Sequence, residues 1–237
     1  MRATRDQAAP AGWVGERRAM MRNAAAIAFL LASGGATSAD PPDWSGPYAG
    51  ISALAATDAV RIEFPTLSLH GEHRGDSYLG ATQVGYNWQL ASGTVLGLEL
   101  DFEAGRMETD GPLIVSGTPS QNWNSEVSEF TALRLRVGWQ MRHRSLGFLA
   151  LGPAGSELEG RIYEDTAATV LREKYTTTMT GWTVALGAER LLHDRFSVLG
   201  QIRHSRLGTG VIDTGSTDPF TVHAQVTEVR VGFNYHF

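Results

Sequence analysis

Three groupings in this 237-residue chain carry side chains that could do chemistry. His70-Gly-Glu-His73 offers two imidazoles and a carboxylate, the donor types that hold a divalent metal. It sits in a polar stretch without an obvious third ligand, so solvated loop polarity accounts for it. His204-Ser205 sets a base beside a hydroxyl, the raw material of nucleophilic hydrolysis. Adjacent residues of a strand point to opposite faces, so an extended backbone keeps these two apart. Glu99 and Asp101 share a strand face, as the paired acids of a glycosidase could, but Arg134 and Arg136 offer plain ionic partners. Cys is absent, which excludes thiolate nucleophiles, thiolate metal sites and disulfides. No Gly-rich phosphate loop with a Lys occurs. The residues predict no catalytic site, no metal and no cofactor, hence not an enzyme.

The elements that would hold these groups are strands. Residues 227–237 set Val229, Val231, Phe233, Tyr235 and Phe237 on one face and Glu228, Arg230, Gly232, Asn234 and His236 on the other, the period-two signature of a strand. The same alternation predicts strands over 48–56, 77–89, 94–104, 127–141, about 146–161, 176–189 and 196–206. The fifth is the least regular, because Pro153 removes a ladder donor. The 27 glycines suit bends and tight turns of a β-rich chain. No amphipathic helix of useful length follows residue 40. The connections alternate: 57–76, 106–126, 162–175 and 208–222 are long and polar, whereas 90–92, 142–145 and 191–195 are short. Such alternation fits long outer loops and short periplasmic turns.

Residues 24–32 form a short apolar run preceded by Arg22 and followed by Thr37-Ser38-Ala39, which predicts a helical secretory signal peptide over 1–39 and a mature domain over 40–237. Met20 or Met21 is a more natural start than Met1. Removing 1–39 takes away 5 of 20 Lys and Arg and 2 of 25 Asp and Glu, leaving residues 40–237 at −8. That balance argues against a nucleic-acid partner. No apolar run reaches the ~20 residues of a spanning helix, so a membrane crossing requires a closed barrel.

Sidedness then follows from bulk and charge. Leu96, Leu98, Leu100, Leu133, Leu135 and Val137 make a belt, with Tyr86, Trp88, Trp139, Trp182, Tyr235 and Phe237 near strand ends, where amphipathic rings suit the headgroup zone. The opposite parity carries Glu99, Asp101, Glu103, Arg134, Arg136, Glu189, Arg203, Glu228 and Arg230. With the belt facing lipid, these mixed charges face the lumen. Eight strands leave an interior that side chains can fill, so the nine groups are expected to form a paired plug.

Together, Asp43–Gly50, Gly85–Gln89, Val95–Phe102, Leu133–Trp139, Gly181–Glu189 and Val229–Phe237 resemble the small porin-like, opacity-type barrels of Gram-negative outer membranes. Many of these are called outer membrane immunogenic proteins, and they share the architecture of the OmpA transmembrane domain. The resemblance implies an all-β, eight-stranded, antiparallel up-and-down transmembrane barrel in the outer membrane, surrounded by outer-membrane lipid. Arg230, Gly232, Tyr235 and Phe237 resemble the family's C-terminal signal for the barrel-assembly machinery. It further implies a structural and surface role in envelope integrity, with the four long loops open to host, phage or antibody contact. The alternatives are a narrow channel for ions or very small solutes and an outer-membrane lipid-modifying enzyme, whose His and Ser His204 and Ser205 resemble. His204-Ser205-Arg206 stands where the family usually has aromatic and acidic residues.

Overall fold

The computed structural model describes residues 42–64, 69–115, 118–141, 144–165, 167–215 and 218–237. The signal segment and its start codon fall outside the described residues. The chain forms β1 (Gly46–Phe64), β2 (Leu69–Gln89), β3 (Thr94–Ala104), β4 (Arg106–Val115), β5 (Thr118–Met141), β6 (Ser145–Tyr163), β7 (Leu171–Leu191), β8 (Phe196–Gly208) and β9 (Thr221–His236). Around the wall the order is β1-β9-β8-β7-β6-β5-β3-β2, every neighbour antiparallel, and β1 pairing with β2 closes the ring. β4 continues β3 beyond Gly105, so eight strand positions make one all-β antiparallel barrel. Gly105 needs its freedom: its φ is +129°, and a Cβ there would lie 2.4 Å from Leu79 Cδ2.

The short connections lie at one end, where Phe237 also meets the start of β1: Phe237 N donates to Pro47 O. Arg144 donates to Asp194 at 2.8 Å across two of these turns and holds the Asp194 carboxyl below the usual carboxylate range.

Beside this end the outer face is apolar. Leu98, Leu135 and Val231 are 39%, 62% and 39% exposed, whereas Glu99 and Arg134 are buried. Apolar residues outside and charged ones inside is the sidedness the alternation predicted.

The long outer loops need correction. Among the described residues of these four stretches, 57–64, 69–76, 106–115, 118–126, 162–163 and 171–175 are strand, 164–165 and 167–170 are not, and 208–222 is largely irregular, with one bridge between Ile212 and Phe220. β5 has 24 residues, whereas a tilted strand crosses a bilayer in ~9–11. Were the apolar wall to lie in a bilayer, roughly half of the barrel would stand beyond it.

Faces exchange character there. Leu54, Val60, Ile62, Phe64, Met107, Leu113, Trp123, Val127, Leu158, Ile162, Met179, Val222 and Val226 point inward and pack as one apolar core. Arg61, Glu72, Arg74, Glu108 and Asp110 point outward on the same strands. Water now bathes the wall, so the stable arrangement is that of a soluble barrel. β5 makes the exchange with a bulge between Ser128 and Thr131, where Glu129 takes φ 52°. Below it the even residues Ala132, Arg134 and Arg136 face inward; above it the odd residues Trp123, Ser125 and Val127 do.

β6 runs straight through Pro153. Its ladder to β7 is continuous there, with Pro153 opposite Trp182, while the ladder to β5 lacks the pairs of Gly152 and Pro153. The missing N–H is thus placed on the β5 side.

Candidate functional site: the lumen charge cluster

Inward parity on β3, β5, β7, β8 and β9 brings Glu99, Asp101, Glu103, Arg134, Arg136, Glu189, Arg203, Glu228 and Arg230 into the part of the lumen enclosed by the apolar wall. All nine are buried, and the four arginines are 0–1% exposed. Two of the contacts are simple ladder neighbours. Glu99 lies directly opposite Arg134, and Arg203 directly opposite Glu228. These pairs are joined, Arg134 donating to Glu99 and Arg203 to Glu228, the latter at 2.7 Å.

Other contacts cross the lumen. β3 and β8 stand four places apart in a ring of eight, at opposite ends of a diameter. Yet Arg203 Nη1 on β8 donates to Asp101 Oδ2 on β3 at 2.8 Å, and Arg203 also donates to Glu103. Arg230 on β9 donates to Asp101 at 2.6 Å and to Glu103 at 2.8 Å. Arg134 adds a contact of 3.1 Å to Asp101. Three guanidiniums, of Arg134, Arg203 and Arg230, meet four carboxylates, Glu99, Asp101, Glu103 and Glu228, and each of these arginines contacts more than one of them.

A second group lies nearer the short turns. Glu189 accepts from Arg136, from Ser197 Oγ at 2.5 Å and from Asn234 Nδ2 at 2.7 Å; His236 Nε2 lies 3.1 Å away. Tyr48 donates to Glu99 at 2.6 Å, and Gln83 Nε2 to Asn234 at 2.8 Å. Arg136 also stacks 3.8 Å from the Phe148 ring centroid. Arg203 lies 4.3 Å from the Phe130 centroid, the junction between the ionic layer and the apolar core above.

Tyr48, Gln83, Ser197, Asn234 and His236 are absent from the sequence-based set. Neutral polar residues at inward parity become recognisable only once the strand neighbours are known.

Ser197, His236 and Glu189 together suggest a relay, but the geometry is wrong for one. Ser197 donates its proton to Glu189, and the same His236 nitrogen faces both Ser197 and Glu189. A general base needs one ring nitrogen for the nucleophile and the other for its orienting acid. His204 and Ser205 do face opposite ways: His204 Nδ1 meets Thr227 Oγ1 outside at 2.9 Å, and Ser205 Oγ donates to Thr183 inside at 2.9 Å. His70 and His73 also lie on opposite faces, His73 stacking 5.9 Å from Trp123. The residues that could hold a metal are thereby separated.

The C-terminal residues divide by parity. Arg230 is part of the cluster, and Gly232 faces inward where a Cβ would come 2.7 Å from Ser52. Tyr235 and Phe237 form an edge-to-face pair at 4.9 Å outside.

A closed antiparallel barrel with an apolar wall and an ionic interior is the setting for comparison with known proteins. The family described as "Outer membrane protein beta-barrel domain" matches residues 24–237. The chain belongs to this family. It is accordingly an outer-membrane β-barrel protein in contact with membrane lipid. The 31 kDa outer-membrane immunogenic proteins of Brucella melitensis and Brucella suis are each 25% identical to it over 226 residues, covering 91% of this chain and 94% of theirs. Among solved structures, the outer membrane protein OprG of Pseudomonas aeruginosa superimposes with a TM-score of 0.50 at 10% identity, covering 84% of this chain and 100% of OprG. That likeness concerns the fold alone.

Proposed function

We propose that this barrel is a non-enzymatic structural and surface protein whose lumen is sealed. The observation that carries this reading is the set of ionic contacts across the lumen to Asp101 and Glu103 on β3, from Arg203 a full diameter away on β8 and from Arg230 on β9. A water-filled pore would leave lining side chains accessible, and these arginines are not. The apolar core above the cluster adds a second barrier of different chemistry. In planar bilayers the purified protein should give no stepwise current. A large, voltage-independent conductance would overturn the seal and favour the channel.

With the lumen closed, the projecting half is what the protein presents to its surroundings. Among the described residues its rim includes 164, 165, 167–170, 209–215 and 218–220. The Brucella relatives are named as immunogenic. The corresponding role here is a surface antigen that contributes to envelope integrity, with the rim open to host, phage or antibody contact. Antibodies raised against the folded protein should bind intact cells. The terminal strand, through Tyr235 and Phe237, serves recognition by the barrel-assembly machinery. Removal of Phe237 is expected to lower the folded outer-membrane population.

A further inference from the structure

His204-Ser205-Arg206, the stretch that departs from the family's usual pattern, lies at a distinctive place. On the outer wall the ladder aligns three rows across β7, β8 and β9. Val184, His204 and Thr227 form the row nearest the apolar belt; Trp182, Arg206 and Gln225 form the next; Thr180, Gly208 and His223 the third. The His204 ring meets the Trp182 ring edge-on at 6.3 Å. Gly208 has no side chain, and the His223 ring lies over it: a Cβ on Gly208 would come 3.0 Å from His223 Nδ1. His223 therefore leans toward the strand that carries Arg206. Arg206 is exposed and takes no ion-pair partner among the described residues.

The charge around it is one-sided. From Arg172 to Trp182 on β7, His204 to Gly208 on β8 and Thr221 to Thr227 on β9, the outward residues include Arg172, Lys174, His204, Arg206 and His223 and not one carboxylate. The whole chain carries −5, and the outward faces of β2, β4 and β6 carry Asp76, Glu108, Asp110, Glu157 and Glu159. Lys174 is engaged with Glu159 at 2.9 Å, which leaves Arg206 as the guanidinium beside the belt. Trp182 stands beside Arg206 in its own row, and below the His204 row come Leu186 and Ile202 and then Val231, all exposed and apolar.

We propose that Arg206, flanked by His204 and His223 and beside Trp182, binds the phosphate of a phosphorylated outer-leaflet glycolipid. Arg matches phosphate oxygens in a bidentate fork. The imidazoles add N–H donors, and Trp182 suits the headgroup level. The lipid is favoured over a soluble polyanion because the apolar wall continues from the cationic row without a break. A headgroup held at Arg206 lays its acyl chains along Ile202 and Leu186. The inference rests on the outer-membrane setting and is independent of whether the lumen conducts.

The test uses the full chain purified folded in detergent, with bis-phosphorylated lipid A as probe and heat-modifiable migration as the check on folding. Arg206→Gln should weaken lipid A binding about fivefold, and Arg206→Lys should keep most of it. Gln225→Glu, which sets a carboxylate opposite Arg206, should cause a similar loss by a different route. Phosphate-free lipid A should bind the wild type no better than it binds Arg206→Gln. Unchanged lipid A binding by folded Arg206→Gln and Gln225→Glu would overturn the proposal. Equal binding of the phosphate-free lipid would also overturn it, as would displacement by inositol hexaphosphate as effective as that by lipid A.

Discussion

Glu228 faces two arginines at once, Arg203 at 2.7 Å and Arg230 at 3.1 Å, and all three are buried. Removing one partner of a buried ionic set leaves charge without compensation, which costs more than the intact pair contributes. Glu228→Gln is therefore expected to lower stability by about 3–5 kcal/mol, read as a lower temperature for loss of the fast-migrating folded form. Little change would mean that the cluster is slack. Asp58 poses the opposite case. It is the acid among the inward apolar residues of β1, accepts from Thr109 Oγ1 on β4 at 2.5 Å, and is fully buried. The bond passes Gly75, where a Cβ would sit 3.0 Å from Asp58 Oδ1. Burial pushes the Asp58 carboxyl above its ordinary value, outweighing the Thr109 bond. A raised folded value means the protonated acid is favoured by folding, so its contribution is complete at low pH and lost as pH rises through the folded value. Asp58→Asn should gain stability at neutral pH and flatten this dependence. Unfolding temperatures of both proteins between pH 4 and pH 8, on the order of the carboxylate range and above, check the sign.

Strands carry a different lesson. Glu129 supplies the extra residue that lets β5 present Trp123 and Val127 inward above the bulge and Arg134 and Arg136 inward below it. Side chains alternate with period two, so deleting Glu129 turns one half of β5 inside out. The deletion should abolish the heat-modifiable folded form, whereas Glu129→Gly, which accepts φ 52° more readily, should not. The same alternation explains what was legible beforehand. In the belt, Leu96–Phe102 and Leu133–Trp139 pair bulky apolar residues with charges, and the strand and both its faces could be read. The Val60-Arg-Ile-Glu-Phe64 stretch alternates just as cleanly, yet its charges suggested a loop. The polar outer face there marks a wall in water rather than a loop, because the surroundings change partway up the strand. The cluster was readable as a set of inward charges, and Glu99 beside Arg134 as neighbours. That Arg203 reaches Asp101 across the diameter depends on ring order and closure, which no local pattern encodes.

At the scale of the molecule, the apolar belt and the projecting collar are two barrels in series on one set of strands. A charge introduced in the belt should cost what hydrocarbon exacts: Leu135→Arg is expected to destabilise by about 2–4 kcal/mol in bilayers. An arginine replacing Ala59, which faces outward on the collar, should change stability by less than about 0.5 kcal/mol. Parallel refolding titrations in lipid vesicles compare the two, and equal penalties would mean that the collar too is immersed.

The exchange of faces also works as a depth gauge. If the molecule rose, Leu98 and Leu135 would meet water; if it sank, Arg61, Glu72 and Asp110 would meet acyl chains. Either displacement is opposed around the circumference at once, so the height of the collar relative to the bilayer is set by the wall itself.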